Sequence, residues 1–287
     1  MGVRVPPSAP KDKIFVFQIP VFNRAAPKKC RPFFVYPWTM SLFFCIFAEN
    51  NVLKRQKTMK ENFVHVCFVI DESGSMSPSV NDVIGGFKRV VDEQREVKDG
   101  TCAVSLFKFQ SKVEEVYRGK DVKDVEYLDS KTYRPGGLTA MNDGIGVAID
   151  AIGKWLDGMK EEEKPEKNLI VIMTDGGEND SHEYEFERVK EMIKHQEDKY
   201  NWTFVYLGTD ITDAKEATKL GINNRGFSSR KDYASNYTFI SSAVSAYRCT
   251  TGDAEVKTMA FNDSLDLSLN KMNAKYEKEI GKKIDNN

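Results

Sequence analysis

At 287 residues, of which 40% are hydrophobic, the chain is long enough to bury the core of one large domain or two small ones. Its net charge of −1 is unevenly divided, because residues 1–58 carry a charge of +8 and residues 59–287 one of −9. The acidic balance of the longer part argues against a general nucleic-acid-binding protein. We therefore expect a globular protein that follows a segment of a different kind.

That segment, residues 1–58, is basic and contains seven of the ten prolines. Its apolar stretch at 31–48 is interrupted by Pro32 and Pro37, whereas a bilayer span takes about 20 apolar residues. A signal peptide is disfavoured because the apolar run begins far from residue 1 and lacks a clear cleavage site. We expect a disordered extension or a misassigned start, with Met59 as the true first residue.

The five cysteines show neither a CxxC pair nor the spacing of a disulfide scaffold. Cys67 and Cys102 lie within apolar strand patterns, which predicts buried, inert thiols. A reducing, cytoplasmic location is the expectation, with secretion or membrane anchoring as the alternative if the N-terminal extension is genuine.

The first predicted element is a strand at residues 63–70, rich in Val, Ile and Phe, which stops abruptly at Asp71, Ser73 and Ser75. Ser77 and Pro78 then predict a helix start, with Ser as the N-cap and Pro in the first turn. After Gly100, residues 102–109 and 112–117 read as two strands joined by a short turn. Such a connection predicts an antiparallel hairpin at the edge of a sheet.

Further along, helices alternate with apolar strands. Apolar residues at helical spacing predict a helix over 141–156, and an apolar strand at 168–174 then ends at Asp175. The charged run at 160–167 between them reads as a solvated loop. The remaining predicted elements are a helix around 186–193, a strand at 202–207, a helix from Thr212 to Leu220, a short strand at 224–229, a final helix over 233–247 and a polar tail at 251–287.

This alternation predicts an α/β fold: a doubly wound, mostly parallel sheet with one antiparallel edge strand and helices on both faces. Ligands of such sheets bind beyond the carboxyl ends of the strands, at a topological switch point. Asp71 and Asp175 both follow strands of this type. Oxygen-bearing side chains gathered there suit a hard cation such as Mg²⁺.

Three short motifs, Asp71-Glu-Ser73-Gly-Ser75, Gly137-Leu-Thr139 and Thr174-Asp175-Gly176, occur in that order and are separated by predicted helices. Together they resemble the metal-ion-dependent adhesion site of von Willebrand factor A domains, with stand-alone bacterial and phage members as the most similar kind. The resemblance covers roughly residues 62–250 and implies a Rossmann-like fold, and we assign the domain to residues 59–250. One motif alone is a weak signal, but three at strand ends are specific.

The resemblance implies that Ser73, Ser75 and Thr139 bind Mg²⁺ directly through their hydroxyls, with Mn²⁺ or Ca²⁺ as possible substitutes. It implies that Asp71 and Asp175 act through water or by hydrogen-bonding those hydroxyls. Because three neutral hydroxyls leave Mg²⁺ poorly neutralised, we expect an Asp or Glu carboxylate of a partner protein to complete its coordination. Taken singly, the serines could be turn residues, Thr139 a helix N-cap and the aspartates helix caps.

Most other polar residues near these motifs are expected to have no part in metal binding. Charged loop residues are usually just exposed, so a solvated loop is favoured over a role at the metal for Glu72, Glu178, Asn179 and Asp180. His65 alternates within the first strand and is expected to be packed, which leaves His182 as the histidine nearest the predicted metal. The chain has no Gly-rich phosphate loop with a following Lys, so nucleotide hydrolysis is not expected.

The leading functional hypothesis is a non-enzymatic, metal-dependent protein-binding module. The alternative is a haloacid-dehalogenase-like phosphatase, in which Asp71 would be the nucleophile and Thr139, Asp175 and Asp180 would complete the site. That chemistry needs a second aspartate two residues after the nucleophile, and position 73 is serine. A third possibility is a structural component of a phage particle or of an ATPase-associated assembly.

Overall fold

The computed structural model of the protein describes residues 62–209, 211–228 and 237–281, with the backbone alone at 211–214. The predicted N-terminal extension lies outside these ranges, as do Ser229 and Tyr233 from the last predicted strand and helix.

A six-stranded sheet in the order β3-β2-β1-β4-β5-β6 forms the centre of the described residues. All neighbouring strands pair in parallel except β2 and β3, which pair antiparallel at one edge. The predicted fold class is confirmed, including the antiparallel edge hairpin. The strands are β1 (Phe63–Asp71), β2 (Thr101–Phe109), β3 (Val113–Asp121), β4 (Lys167–Met173), β5 (Thr203–Gly208) and β6 (Asn224–Phe227).

Helices cover both faces of the sheet, because its central strands are apolar on both sides. In β1, Val66 and Phe68 face one core cluster while Cys67 and Val69 face the other. Helices α1, α5 and α6 pack on the first face and α2, α3 and α4 on the second. Their bounds are α1 (Val80–Glu96), α2 (Met141–Asp157), α3 (Phe186–Tyr200), α4 (Ile211–Lys219), α5 (Thr238–Cys249) and α6 (Ala254–Ile280).

The predicted start of the first helix is wrong. A 3₁₀ helix spans Gly74–Ser79 with Pro78 inside it, and α1 begins only at Val80. The Ser77 hydroxyl donates to the carbonyl oxygen of Gly74 (2.8 Å), a contact within the 3₁₀ turn. The 3₁₀ turn keeps the segment after β1 close to the end of the sheet.

The prediction of a polar tail is also wrong for residues 254–280, because they form the long helix α6. Its Asp253 N-cap side chain accepts hydrogen bonds from two backbone N–H groups of the first turn. Its apolar residues form a stripe about one side chain wide among many charged and amide residues, which is why the periodicity is weak in the sequence. The buried members of the stripe are Phe261, Leu265, Leu269, Met272 and Tyr276.

One side chain of helix α6 also forms hydrogen bonds with the free edge of β6. The Asn273 side chain accepts a hydrogen bond from the N–H of Phe227 (2.9 Å) and donates one to the carbonyl oxygen of Arg225 (2.9 Å). A side-chain amide thus satisfies edge groups that another strand would otherwise pair with. Within the described part of the chain, no helix is both long enough and apolar enough to cross a membrane.

Cys67 and Cys102 are free and buried, as predicted. Burial raises the pKa of both thiols, that of Cys102 to about 12. The predicted solvated loop at 160–167 is wrong at its end, since Pro165 and Lys167 are buried. Lys167 lies at the start of β4 with its ammonium over the ring of Phe261. Desolvation lowers the pKa of Lys167 to about 8.

His65 is packed, as predicted, and its buried ring ties together three strands of the sheet. Nδ1 lies 3.1 Å from Asn168 Oδ1 and Nε2 lies 2.8 Å from Ser105 Oγ. Because Asn168 Oδ1 can only accept, Nδ1 carries the proton and Nε2 accepts from the Ser105 hydroxyl. The N–H of Gly119 donates to that same hydroxyl oxygen (2.8 Å), which extends the network to β3.

We expect His65 to make folding stability fall in mild acid. Burial lowers the pKa of His65 from 6.5 to about 4, so between these values the unfolded chain binds a proton that the folded chain does not. Stability should therefore be lost as the pH falls through this window, by about 3 kcal/mol in all. Urea unfolding of the wild type and of His65→Gln between pH 7 and pH 4 measures this contribution as the difference between the two profiles.

The exposed His182 provides the control, since its side chain is 78% accessible. The profile of His182→Gln should run parallel to that of the wild type. Parallel profiles for His65→Gln and the wild type would contradict the prediction.

Candidate metal centre

The five residues predicted to form the site come together at the carboxyl ends of β1 and β4. These strands are parallel neighbours, with Ile70 opposite Met173, so the segments that follow them emerge side by side. From β1 the chain continues to β2 on one side, whereas β4 lies on the other, which makes this the switch point of the sheet. Asp71 ends β1, and Asp175 is the second residue after the end of β4.

Hydroxyl groups connect the two strand ends. Ser73 Oγ lies 3.0 Å from Ser75 Oγ, and the Ser75 hydroxyl donates to Asp175 Oδ1 at 2.5 Å. A Cβ atom on Gly176 would lie 3.6 Å from Ser75 Oγ and 3.8 Å from Thr139 Oγ1, so both oxygens border the space beside this glycine. The structure therefore brings the three predicted hydroxyl ligands and Asp175 to one place.

Asp71 is buried beneath this cluster and both its carboxylate oxygens are hydrogen-bonded. Oδ1 accepts from the N–H of Ser73 (2.7 Å) and Oδ2 from the Thr174 hydroxyl (2.6 Å). Burial raises the pKa of Asp71 to about 6, opposed by the hydrogen bonds from Thr174 and Ser73 and assisted by the neighbouring charge of Asp175. Asp71 is thus placed to orient the loop that carries the two serines.

Glu72 is buried, which corrects the prediction of a solvated loop residue. Its carboxylate pairs with the buried ammonium of Lys108 (3.2 Å) and accepts from the N–H of Arg134 (2.6 Å). The Lys108 ammonium also donates to the carbonyl oxygen of Thr132 (2.6 Å). This ion pair fixes the loop before Thr139 to the end of β1.

Two hydrogen bonds to backbone carbonyl oxygens also join these loops. The Tyr133 hydroxyl donates to the carbonyl oxygen of Asp71 (2.6 Å), and the N–H of Gly74 donates to the carbonyl oxygen of Gly137 (3.2 Å). Gly137 has a φ of +70°, and a Cβ there would lie 2.6 Å from Gln110 Oε1. The end of the Gln110 side chain could shift, but the positive φ still favours glycine, which explains the Gly before Leu138 and Thr139.

Asn179 is exposed in a loop, as predicted, but it also holds Thr139 in place from the other side, which was not predicted. The N–H of Thr139 donates to Asn179 Oδ1 (2.8 Å), and the N–H of Asn179 donates to the carbonyl oxygen of Thr139 (3.0 Å). Glu178 holds the start of α2 in a similar way, because its Oε2 accepts a hydrogen bond from the N–H of Asn142 (2.8 Å). A carboxylate at a helix N-terminus also interacts favourably with the helix dipole.

Residues 182–184, which follow this loop, are also hydrogen-bonded to the first turn of α2. The Asp143 carboxylate accepts backbone N–H groups from His182, Glu183 and Tyr184 at 2.7–2.9 Å. The ring of His182 is exposed, with Nε2 3.5 Å from Asp180 Oδ1. Asp143 is a residue that the sequence reading missed, although an Asp in the first turn of a predicted helix is a recognisable signal.

Among residues 62–209, 211–228 and 237–281, no three His, Cys, Asp or Glu side chains are placed to hold a metal ion together. A zinc-type cluster is therefore absent from this part of the chain. The candidate centre instead offers hydroxyl oxygens backed by carboxylates, an all-oxygen donor set that fits Mg²⁺, Mn²⁺ or Ca²⁺ rather than a soft metal.

A family model for the von Willebrand factor type A domain matches residues 65–246. The chain belongs to this family. Domains of the family typically serve as protein-interaction modules. No curated protein matches the chain significantly.

Solved structures of vWA-type and pilus proteins resemble the chain at low identity. The PilB minor pilin from Streptococcus sanguinis is 11% identical over 66% of this chain and 62% of its own, with a TM-score of 0.45. The vWF domain of the type V pili tip protein Mfa5 from Porphyromonas gingivalis is 11% identical over 66% and 97%, with a TM-score of 0.49. The ArnB paralog VWA2 from Sulfolobus acidocaldarius is 20% identical over 64% and 45%, with a TM-score of 0.38. The chain thus spans less than two-thirds of the PilB chain.

We expect Asn179 to control the Mg²⁺ affinity of the predicted metal site through Thr139. Asn179→Ala removes the acceptor for the N–H of Thr139 and should weaken Mg²⁺ binding by about tenfold, the usual size of an effect from an orienting partner. Asn179→Asp keeps the acceptor and should restore the affinity to within about twofold. Mn²⁺ titration followed by electron paramagnetic resonance, with Mg²⁺ as competitor, measures both affinities.

Asn81, an exposed asparagine of α1, provides a matched control, and Asn81→Ala should bind Mg²⁺ like the wild type. Equal losses in Asn179→Ala and Asn179→Asp, or no loss in either, would contradict the assignment.

Proposed function

We propose that this vWA domain is a non-enzymatic protein-binding module that depends on a divalent cation, with Mg²⁺ as the principal ion. Ser73, Ser75 and Thr139 bind the cation through their hydroxyls. Asp71 and Asp175 act through water or by accepting hydrogen bonds from those hydroxyls. An Asp or Glu carboxylate of the partner completes the coordination.

The observation that carries the proposal is the convergence of hydroxyl oxygens at the switch point. Ser75 already donates to Asp175, which is the supporting role proposed for that carboxylate. Three neutral ligands leave the charge of a divalent cation largely uncompensated, so an external anion is strongly attracted to it. Ser75 is solvent-exposed whereas Ser73 and Thr139 are buried, so the proposed site is accessible from one side.

The arrangement disfavours the phosphatase alternative. A nucleophilic carboxylate must reach the phosphorus atom, but Asp71 has no exposed surface and both its oxygens are engaged by Ser73 and Thr174. The residue two positions on is Ser73, which cannot serve as the general acid that this chemistry requires.

Removing either the hydroxyl of Ser75 or the charge of Asp175 should weaken metal binding. We expect Ser75→Ala and Asp175→Asn each to raise the Kd for Mg²⁺ at least tenfold, because the first removes a proposed hydroxyl ligand and the second removes the negative charge that supports the cation and its ligands. Isothermal titration calorimetry of the full chain with Mg²⁺ measures this directly. Circular dichroism of each variant verifies that the fold is retained.

Ser77 provides the matched control, since it is an exposed serine two residues further along the same segment. Ser77→Ala should change the Kd by no more than about twofold. Unchanged Mg²⁺ affinity in both Ser75→Ala and Asp175→Asn would refute the proposed site.

A further inference from the structure

We infer that a cavity between α2 and α3 is a second binding site, which takes small neutral molecules that carry an amide or similar carbonyl oxygen on an apolar body. The cavity lies away from the candidate metal centre, so this role is independent of the proposed function. Its volume, one buried donor inside it and the balance of charge around it point to this class of ligand.

The cavity has a volume of about 510 Å³ and lies on the second face of the sheet. Its walls come from the carboxyl-terminal halves of α2 and α3, and it also contacts Asn168 and Trp202 at the amino ends of β4 and β5. Pockets that bind small organic molecules usually measure about 300–1,000 Å³. At about 3.3 Å per residue, β4 carries the chain about 20 Å from Asn168 to Thr174 beside the metal centre.

Asn168 presents a hydrogen-bond donor to this cavity. Its side chain is on the face of β4 that also carries Ile170, and the residue is only 6% exposed. Oδ1 accepts from Nδ1 of His65, which fixes the orientation of the amide. Within residues 62–209, 211–228 and 237–281, Nδ2 of Asn168 donates to no other group. A ligand oxygen in the cavity can therefore accept from a donor that is already held in place.

The charged side chains around the cavity nearly balance one another. Glu161 and Lys164 form an ion pair (2.6 Å), and the Asp150 carboxylate accepts from the hydroxyl of Tyr184 (2.9 Å). Burying an ionised group without a matched partner is costly, and no side of the cavity offers a surplus of one sign. A neutral ligand is therefore the best match. The charged lining residues are Asp150, Asp157, Glu161, Lys154 and Lys164.

The remaining wall is apolar and is kept open by a glycine. Ile149, Leu156 and Trp202 are buried and line the space, which suits the apolar body of a ligand. Gly153 lies inside α2, where glycine is less favourable than alanine, yet a Cβ atom there would meet no atom within 4 Å. A larger side chain at this position would enter the cavity without displacing another group.

Two glycines provide a matched pair of variants. Gly153→Leu fills the cavity, whereas Gly85→Leu makes the same change in α1 on the opposite face, where a Cβ atom also meets nothing within 4 Å. Asn168→Asp keeps the acceptor for His65 and replaces the Nδ2 donor with an oxygen. The probe is N-benzylacetamide, a neutral amide, titrated into the ¹⁵N-labelled full chain and followed by two-dimensional NMR. The side-chain amide signals of Asn168 are identified by their loss in Asn168→Asp.

The wild type should bind the probe with a Kd of about 1–10 mM, as expected for a ligand of this size, and the Asn168 side-chain signals should shift. Gly85→Leu should bind with the same Kd to within about twofold. Gly153→Leu and Asn168→Asp should each bind at least about fivefold more weakly, because the first blocks the space and the second removes the donor. Circular dichroism verifies that each variant is folded.

Three results would overturn the inference. The first is the absence of saturable binding by the wild type, or shifts that leave the Asn168 side-chain signals unchanged. The second is equal affinity in Gly153→Leu and the wild type, and the third is an equal loss in Gly153→Leu and Gly85→Leu. If Asn168→Asp does not fold, the two glycine variants and the wild-type shifts still decide the outcome.

Discussion

The parallel pairing of β1 with β4 is the constraint on which the site depends. Because these strands run in register to the same end of the sheet, Asp71 and Asp175 end up in adjoining loops although they are far apart in sequence. The hydrogen bond from Ser75 to Asp175 then joins the two loops directly. The strands themselves are held by burial of apolar residues on both faces, so the hydrophobic core positions the polar site above it.

A second set of interactions is polar and buried, and it holds the loops rather than the sheet. The pair between Glu72 and Lys108 is nearly fully buried on both sides, and removing one partner of such a pair typically costs about 3–5 kcal/mol. Asn179 and Glu178 fix the other side of the site through backbone groups of Thr139 and the first turn of α2. These contacts hold the loops that carry the hydroxyl groups in place, so the proposed binding of a cation would need little further ordering of the chain.

The fold and the meeting of the five candidate site residues at one end of the sheet could be predicted because their signals are local. An apolar strand that stops at Asp71 can be recognised from a few residues, and so can the later motif at Asp175. The partners of Glu72 and Asn179 could not be predicted, since each depends on a residue about 36 to 40 positions away that only the folded chain brings near. Helix α6 was missed because its buried stripe is narrow and mostly surrounded by polar residues.

The most direct test of the proposed metal site is anomalous diffraction from crystals of the full chain grown with Mn²⁺, an ion with the same preference for oxygen ligands. A manganese peak within bonding distance of the hydroxyl oxygens of Ser73, Ser75 and Thr139 is the predicted result. A peak bound only by carboxylates such as those of Glu178 and Asp180, or no peak in this part of the chain, would contradict the proposal.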